Sequence, residues 1–185
     1  MLFSIGVFAQ GGGQPASKIG WIDTGFFADE KEGVTKYINA LKALDTELKP
    51  RITELQNISK RIETIAEEIR TLSAPGSTVP VNQQNIATKQ DEGQRLQREF
   101  EFKKKDYDAV FEKRSGEVLG PVSADISKAI QEFARQKGYA VILDIAALAN
   151  NGAILALDSG ANITKEFVTF YNSRPPTTAT TTNPR

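Results

Sequence analysis

The sequence has no cysteine and no histidine among its 185 residues. Without cysteine there are no disulfides, thiolate nucleophiles, iron–sulfur clusters or cysteine zinc sites. Without histidine the chain lacks the usual general base, the commonest metal ligand and every Ser-His-Asp triad. Most hydrolase and metalloenzyme mechanisms are therefore excluded or disfavoured, and we predict a protein that is not an enzyme and holds no cofactor.

An excess of charge of one sign is also missing, because 23 Lys and Arg residues balance 23 Asp and Glu residues. A bulk electrostatic affinity for nucleic acid or anionic membrane is therefore absent, and nucleic acid is not a predicted partner. Hydrophobic residues make up 39% of the chain and charged residues 25%. This balance suits long solvated helices better than a compact globule.

The longest apolar run at the N-terminus, Leu2 to Ala9, is far shorter than the roughly 20 residues that span a bilayer. Small residues at Val7 and Ala9 resemble a signal-peptide cleavage site before Gln10. The usual basic start is missing, so we expect the full signal to begin before Met1. We predict a signal-peptide remnant with a flexible Gly-rich start over residues 1–17, and a disordered Thr/Pro tail over residues 173–185.

A helical hairpin is predicted over residues 34–119. Asp29 and Glu32 have the spacing of a capping box at the start of the first helix. Apolar residues then recur at intervals of three and four, which indicates one stripe close to a heptad seam. Its members are Leu41, Leu44, Leu48, Ile52, Leu55, Ile58, Ile62, Ile65, Ile69 and Leu72.

The tip of the hairpin is predicted at residues 73–81, where two prolines and a glycine mark a turn. A second, more polar stripe with the same spacing follows it. Its members are Ile86, Lys89, Gly93, Leu96, Phe100, Lys103, Tyr107 and Val110. Two amphipathic helices joined by a short turn pack antiparallel, and each would be roughly 60 Å long.

Two prolines fall on these helices. The pair Gly120-Pro121 is predicted to kink or break the second helix and so to end the arm. Pro50 lies inside the first helix, where we expect a tolerated kink, with a hinge as the alternative.

A small α/β body is predicted from residues 18–33 and 120–172. Residues 18–23 form one short strand, and residues 139–145 form a buried strand after a helix that Gly138 caps. Asn150, Asn151 and Gly152 are typical of a hairpin turn, which predicts a returning strand over residues 153–157. Thr164 is expected to cap a last helix that carries Phe167, Val168 and Phe170.

The predicted fold class is thus α+β, with a long antiparallel helical hairpin on a small β-strand body. A body of roughly 80 residues buries only a modest fraction of its surface. Three short strands also leave open apolar edges. We therefore expect the body to oligomerise through its strands.

The order of these parts resembles the Skp/OmpH family of periplasmic chaperones. The residues that carry the resemblance are the segment 18–23, Gly33, the Gly120-Pro121 pair, the segments 134–139 and 141–144, and Asn162-Ile163-Thr164 followed by Val168. The resemblance covers about residues 18–172. Members of the family are often clearly basic, whereas this chain is neutral, so no individual binding residue is transferred from the family.

The resemblance implies a homotrimer in the periplasm whose strands form a central barrel and whose three hairpins enclose a cavity. It also implies an ATP-independent holdase for unfolded outer-membrane proteins, in agreement with the absence of a GxxxxGK[ST] phosphate loop. Residues that could contact a client are Phe26, Phe27, Phe102 and Phe111, together with Lys103, Lys104 and Lys105. Phe100 is expected to pack inside the seam instead.

Three alternatives remain open at this point. The lysine run is either a solvated face or a contact for an anion or a lipid headgroup. The hairpin is alternatively an envelope adaptor whose tip docks one folded partner. Finally, Asp23, Asp144 and Asp158 could act as acid/base carboxylates near strand ends, although capping and turn roles explain them more simply.

Overall fold

A computed structural model describes residues 18–73, 83–149, 152 and 154–175. The predicted signal remnant, most of the hairpin tip and the tail from residue 176 lie outside the described residues. The elements in chain order are β1 (Lys18–Ile22), a 3-10 turn (Thr24–Ala28), α1 (Thr35–Leu72), α2 (Gln83–Lys137), β2 (Tyr139–Asp144), α3 (Ile145–Ala149), a second 3-10 turn (Ser159–Ala161) and α4 (Thr164–Asn172). The described residues fall into two compact units, one within residues 35–125 and one within residues 1–34 and 126–185.

In the first unit, α1 and α2 form the predicted antiparallel hairpin. Ion pairs link the two helices, and the partner's number in α2 falls as the number in α1 rises, which fixes the antiparallel direction. These pairs are Lys36–Asp125, Glu47–Arg114, Arg51–Asp106, Glu54–Lys103, Arg61–Glu92 and Glu68–Lys89. We call residues 35–125 the hairpin unit.

Both predicted apolar stripes face the inside of this hairpin, since every one of their members is at least half-buried. Ile58, Ile65 and Leu96 form a buried cluster against which Phe100 packs, as the spacing predicted. Gly93 lies on the same seam, and a Cβ there would be in ordinary contact, 3.5 Å from Cγ2 of Ile65. The periodic spacing of apolar residues therefore located the helix interface correctly.

The break predicted at Gly120-Pro121 is wrong, because α2 continues through it to Lys137. Proline lacks the N–H that would bond the carbonyl four residues earlier, at a cost of about 3 kcal/mol. Pro121 and Glu117 are both exposed, so water can hydrate the freed carbonyl, while Val122 beside them is buried. Pro50 is likewise exposed inside α1, which also continues without a break.

The second unit contains a two-stranded sheet in which β1 and β2 run parallel. The predicted returning strand is wrong for its described residues, since 154–157 are outside any strand. The chain leaves β2 as helix α3 instead, because the Asp144 carboxylate accepts the N–H of Ala146 at 3.1 Å and alanine favours helix. Gly152 does adopt the expected left-handed φ of 62°, but its N–H donates to the Ala149 carbonyl after α3. We call this second unit the body.

A cluster of aromatic rings forms the core of the body. Phe133 lies at its centre, with ring centroids of Tyr139, Phe167 and Phe170 within 6.0 Å. Phe167 also contacts Phe27 at 5.5 Å. Phe133 and Phe167 are fully buried. This core comes from α2, β2, α4 and the first 3-10 turn, so it holds together segments far apart in the sequence.

Two residues predicted to cap helices, Asp29 and Thr164, have other roles in the structure. Asp29 accepts N–H groups of Lys31 and Glu32, and these hydrogen bonds lower its pKa, but α1 begins only at Thr35. Thr164 is the first residue of α4 rather than its cap, and its hydroxyl accepts the Asp23 N–H at 3.0 Å. Both residues tie the strand-to-helix connections of the body in place.

Gly33 occupies a site that admits no side chain. A Cβ there would lie 2.5 Å from the Asp29 carbonyl oxygen and 2.6 Å from that of Phe27. Its own carbonyl accepts a hydrogen bond from the Asn172 side chain at 3.0 Å. Within the body, this hydrogen bond joins the segment that follows the first 3-10 turn to the end of α4.

Candidate functional site

Phe102 is the most exposed aromatic side chain of the hairpin unit, at 73%. It lies in sequence between the seam residues Phe100 and Lys103. A rotation of about 100° per residue turns its ring away from the seam toward solvent. Phe102 is therefore available to a partner without any rearrangement of the helix packing.

Phe111 is also exposed, at 46%, and its ring stacks on Tyr107 with centroids 6.0 Å apart. Nine positions, or about two and a half turns, separate it from Phe102. The two phenylalanines consequently lie on opposite sides of α2. The two rings do not share a pocket, and a client chain that contacts both would have to pass around the helix.

The three lysines of the run have three different surroundings. Lys103 faces the seam and pairs with Glu54 at 2.7 Å, and this hydrogen bond raises its pKa. Lys104 pairs with Asp108 one turn away at 2.6 Å. Lys105 is exposed and has no ion-pair partner within the described residues. The run therefore offers one unpaired charge, which favours a solvated face over an anion or headgroup site.

In the body, the side chains of Phe26 and Phe27 lie in different environments. Phe26 is partly buried and lines an open cavity of about 210 Å³ with Trp21, Ile145 and other residues. The Lys165 ammonium lies 5.8 Å from its ring centroid. Phe27 is only 4% exposed and packs in the aromatic core. Phe27 is thus a structural residue and unavailable for contact in this conformation.

Sequence reasoning missed an exposed apolar face on the sheet. The register pairs Ile19 with Val141 and Trp21 with Leu143, so these four side chains share one face. Ile19 is 61% exposed and Val141 44%, which contradicts the prediction of a buried second strand. Alternation within 18–22 and 139–144 could have revealed this face, but only once the strands were known to be paired in this register.

The three carboxylates considered for acid/base chemistry are all used as caps. Asp23 and Asp158 each accept the N–H two residues ahead, from Gly25 and Gly160. Asp144 accepts the Thr24 hydroxyl at 2.8 Å as well as the N–H that starts α3. Local turn geometry therefore explains each of them.

Within the described ranges, no group of three or more acidic residues has the arrangement of a metal site. No helix in that same part of the chain is long and apolar enough to cross a membrane.

Comparison with known proteins gives one family match. The model of the family described as Outer membrane protein (OmpH-like) matches residues 18–170, which is most of the chain and includes both units. No curated protein matches the chain at a significant level.

Proposed function

The chain belongs to the OmpH-like family, and we propose that it is an ATP-independent holdase that binds unfolded outer-membrane proteins. At the level of the family, this means a periplasmic chaperone of outer-membrane proteins. For this chain we propose the same compartment and the same class of client. A holdase needs no catalytic centre, because binding the unfolded state lowers its free concentration by mass action.

The observation that supports this proposal best is the surface of the hairpin unit. Many of its charged residues are paired across or along the helices, while Phe102 and Phe111 are exposed among them. Isolated apolar contacts in a solvated surface give weak, separate interactions with an apolar client segment. Several such contacts hold a client by avidity and still leave it mobile.

We further propose that the working form is a homotrimer assembled through the body. The apolar face formed by Ile19, Trp21, Val141 and Leu143 supports an assembly, since monomeric soluble proteins rarely leave such a patch uncovered. Three hairpin units around one assembled body would then surround a shared client. Sedimentation at low concentration tests this directly, and a mass of one chain would contradict it.

The client contacts we propose are Phe102 and Phe111, with Phe26 as a further contact on the body. Phe27 is not among them because its side chain is buried. Lys105 contributes an unpaired positive charge near Phe102, and Lys103 and Lys104 contribute mainly through their ion pairs. The adaptor alternative depends on a tip whose residues 74–82 lie outside the described part, so we propose no second function.

The decisive experiment measures aggregation of a urea-unfolded β-barrel membrane protein diluted into buffer with the chain at stoichiometric amounts. We expect light scattering to be suppressed without nucleotide. The double variant Phe102→Ser/Phe111→Ser should bind the client about tenfold more weakly or worse, since each lost contact is a fraction of the roughly 1.5–3 kcal/mol of a fully buried Phe.

The matched control is Glu101→Ser/Glu112→Ser, which changes the neighbouring exposed positions without removing apolar surface. Its suppression should equal that of the unmodified chain. If the unmodified chain fails to suppress aggregation, the holdase proposal is wrong. If the unmodified chain suppresses aggregation and the phenylalanine variant does so as well as the control, the holdase function stands. In that case the assignment of these two residues as client contacts is wrong.

A further inference from the structure

We propose that a groove between α1 and α2 binds an extended segment of an unfolded client whose apolar residues alternate with polar ones. This inference rests on the proposed holdase function and names the part of the hairpin unit that recognises such a segment. The groove has a volume of about 680 Å³ and is open to solvent. Residues from Pro50 to Arg61 line it from α1, and Leu96 and Glu99 line it from α2. We call it the hairpin groove.

The floor of the hairpin groove is apolar. Ile58 and Leu96 lie there, and both belong to the buried cluster of the seam. Pro50 adds its ring near one end and has no N–H group to satisfy. The Thr53 hydroxyl donates to the Lys49 carbonyl at 2.9 Å, so it already has a partner within α1. An apolar side chain that enters the groove would therefore displace water from apolar surface without breaking this hydrogen bond.

Charged residues at the rim of the groove are neutralised within the hairpin unit. Three of them form ion pairs across the two helices, and these pairs are Arg51–Asp106, Glu54–Lys103 and Arg61–Glu92. A charged client residue would have to break one of these pairs to gain either member as a partner, whereas an uncharged residue would leave all three in place. The rim therefore complements an uncharged occupant.

The exposed ring of Phe102 flanks the same groove. Phe102 comes three residues after Glu99, which lines the groove, and four residues before Asp106. Asp106 pairs with Arg51 near one end of the groove. Residues three and four apart are neighbours on one face of a helix, so Phe102 lies on the groove side of α2. A client segment in the groove would therefore contact this ring, and the two features form one continuous surface.

The length of the groove favours an extended occupant over a helical one. Arg51 and Arg61 lie near its two ends, about 15 Å apart along α1. Alternate residues of an extended chain point to one side at intervals of roughly 6.6 Å, so two or three of them fit along this distance. A client helix of that length would have only about ten residues, too few for a stable isolated helix.

The residues between those that enter the groove would face solvent, where polar side chains are favoured. The groove therefore selects a segment that is apolar on one face and polar on the other. Alternation with a period of two is the pattern of membrane-spanning β-strands. This pattern agrees with the class of client that we propose for the chain.

The first test compares two fluorescent peptides of the same composition, both flanked by lysines for solubility. In one peptide leucine alternates with serine, in the order LSLSLSLSL. In the other the leucines have the spacing of a helix, in the order LSSLLSSLL. Fluorescence anisotropy with the full chain should show about fivefold tighter binding of the alternating peptide, as expected when part of a leucine side chain is buried. Equal affinities, tighter binding of the helical peptide, or no binding of either at millimolar concentration would overturn the proposal.

A pair of lysine variants tests whether the groove is responsible for this preference. Asn57→Lys adds a long charged side chain to the lining of the groove. Gln56→Lys is the matched control, because it makes the same change from amide to ammonium at the neighbouring exposed position, outside the lining. Asn57→Lys should weaken binding of the alternating peptide about fivefold and remove the preference, with Gln56→Lys unchanged. Equal effects of the two variants, or a preference that survives Asn57→Lys, would overturn the proposal.

The second test locates the bound peptide directly. The chain has no native cysteine, so a single introduced thiol can be modified selectively with a maleimide. Asn57→Cys places this thiol in the groove, and Gln56→Cys places it at the neighbouring position outside. Saturating alternating peptide should slow the modification of Asn57→Cys several-fold and leave Gln56→Cys unchanged. An unchanged rate at Asn57→Cys, or equal protection of both thiols, would overturn the assignment of the groove.

Aggregation of an unfolded β-barrel protein, measured with the same samples, separates this inference from the proposed function. If the unmodified chain suppresses aggregation but binds the two peptides equally, the holdase proposal stands and the assignment of the groove is wrong. If the unmodified chain does not suppress aggregation, the holdase proposal itself is wrong.

Discussion

The hairpin unit and the body are stabilised in different ways. The hairpin is held by a long seam of aliphatic side chains, with Ile65 the most buried of its hydrophobic cluster, and by ion pairs between exposed residues. The body is held by a compact group of aromatic rings centred on Phe133 and by glycine and side-chain contacts that fix its connections. Stability is therefore spread along the hairpin but concentrated at a few positions in the body.

This difference explains which substitutions each unit should tolerate. Exposed ion pairs contribute about 0–1 kcal/mol each, so the loss of one is small. Removing a central ring of the body instead leaves a cavity that surrounding segments cannot fill.

Phe133→Ala should destabilise the body by about 3–5 kcal/mol, because it removes a fully buried ring in contact with three others. Trp21, the only tryptophan, lies in the body, so its fluorescence during urea unfolding reports on that unit. Phe102→Ala, an exposed ring on the same helix, is the control and should change stability by less than about 0.5 kcal/mol. Equal effects from both variants would contradict the concentrated core.

A glycine-to-alanine substitution should change the free energy of unfolding in opposite directions in the two units. Gly33→Ala should destabilise the body by about 1–3 kcal/mol, because the new Cβ would meet two carbonyl oxygens. Gly116→Ala should stabilise the hairpin by about 0.5–1 kcal/mol, since no atom outside its own helix lies within 4 Å and alanine favours helix. Urea midpoints from fluorescence and far-UV circular dichroism measure the two effects, and a shared sign would contradict the contrast.

The smallest effect is expected from the acid sensitivity of one ion pair in the hairpin. A hydrogen bond from the Arg114 guanidinium lowers the pKa of Glu47 below its usual value. A carboxyl group with a lowered folded-state pKa stabilises above the unfolded pKa, about 4.3, and this contribution is lost as pH falls through the folded value. Glu47→Gln should therefore reduce the loss of stability between pH 5 and pH 3 that circular dichroism measures.

Glu112→Gln, at an exposed position of α2, is the control for charge alone. Its acid sensitivity should stay close to that of the unmodified chain. A Glu47→Gln variant that lost as much stability in acid as the unmodified chain would show that the ion pair contributes nothing to the hairpin.

Local sequence patterns predicted the hairpin well because its contacts repeat along the chain. The stripe from Leu41 to Leu72 defines α1 to its last residue, and Gly138 ends α2 with the expected positive φ of 73°. The break predicted at Pro121 was wrong because the cost of one proline on the solvent side is smaller than the gain from continuing a packed helix. The sequence correctly indicated that Pro121 removes a helix hydrogen bond, but the free-energy cost of that loss was overestimated.

The body was predicted less well because its contacts join distant parts of the sequence. A polar side chain can cap any of several backbone groups, as in the case of Asp29, Asp144 and Thr164. Which group it caps depends on neighbours that the local sequence does not specify. The candidate contacts show the same limit. The adjacent residues Phe26 and Phe27 are of the same type, yet Phe26 is only partly buried and Phe27 lies in the core.

The sequence alone determined the long paired helices, the lack of cysteine and histidine and the resemblance to the OmpH-like family. These depend on residue types and on spacings of three and four, which are local properties. Only the tertiary structure decided the parallel pairing of β1 with β2, the exposed sheet face and the unpaired segment 154–157. Strand pairing is decided by hydrogen bonds between residues more than a hundred positions apart, and a short apolar run has no local signal for the edge that it will join.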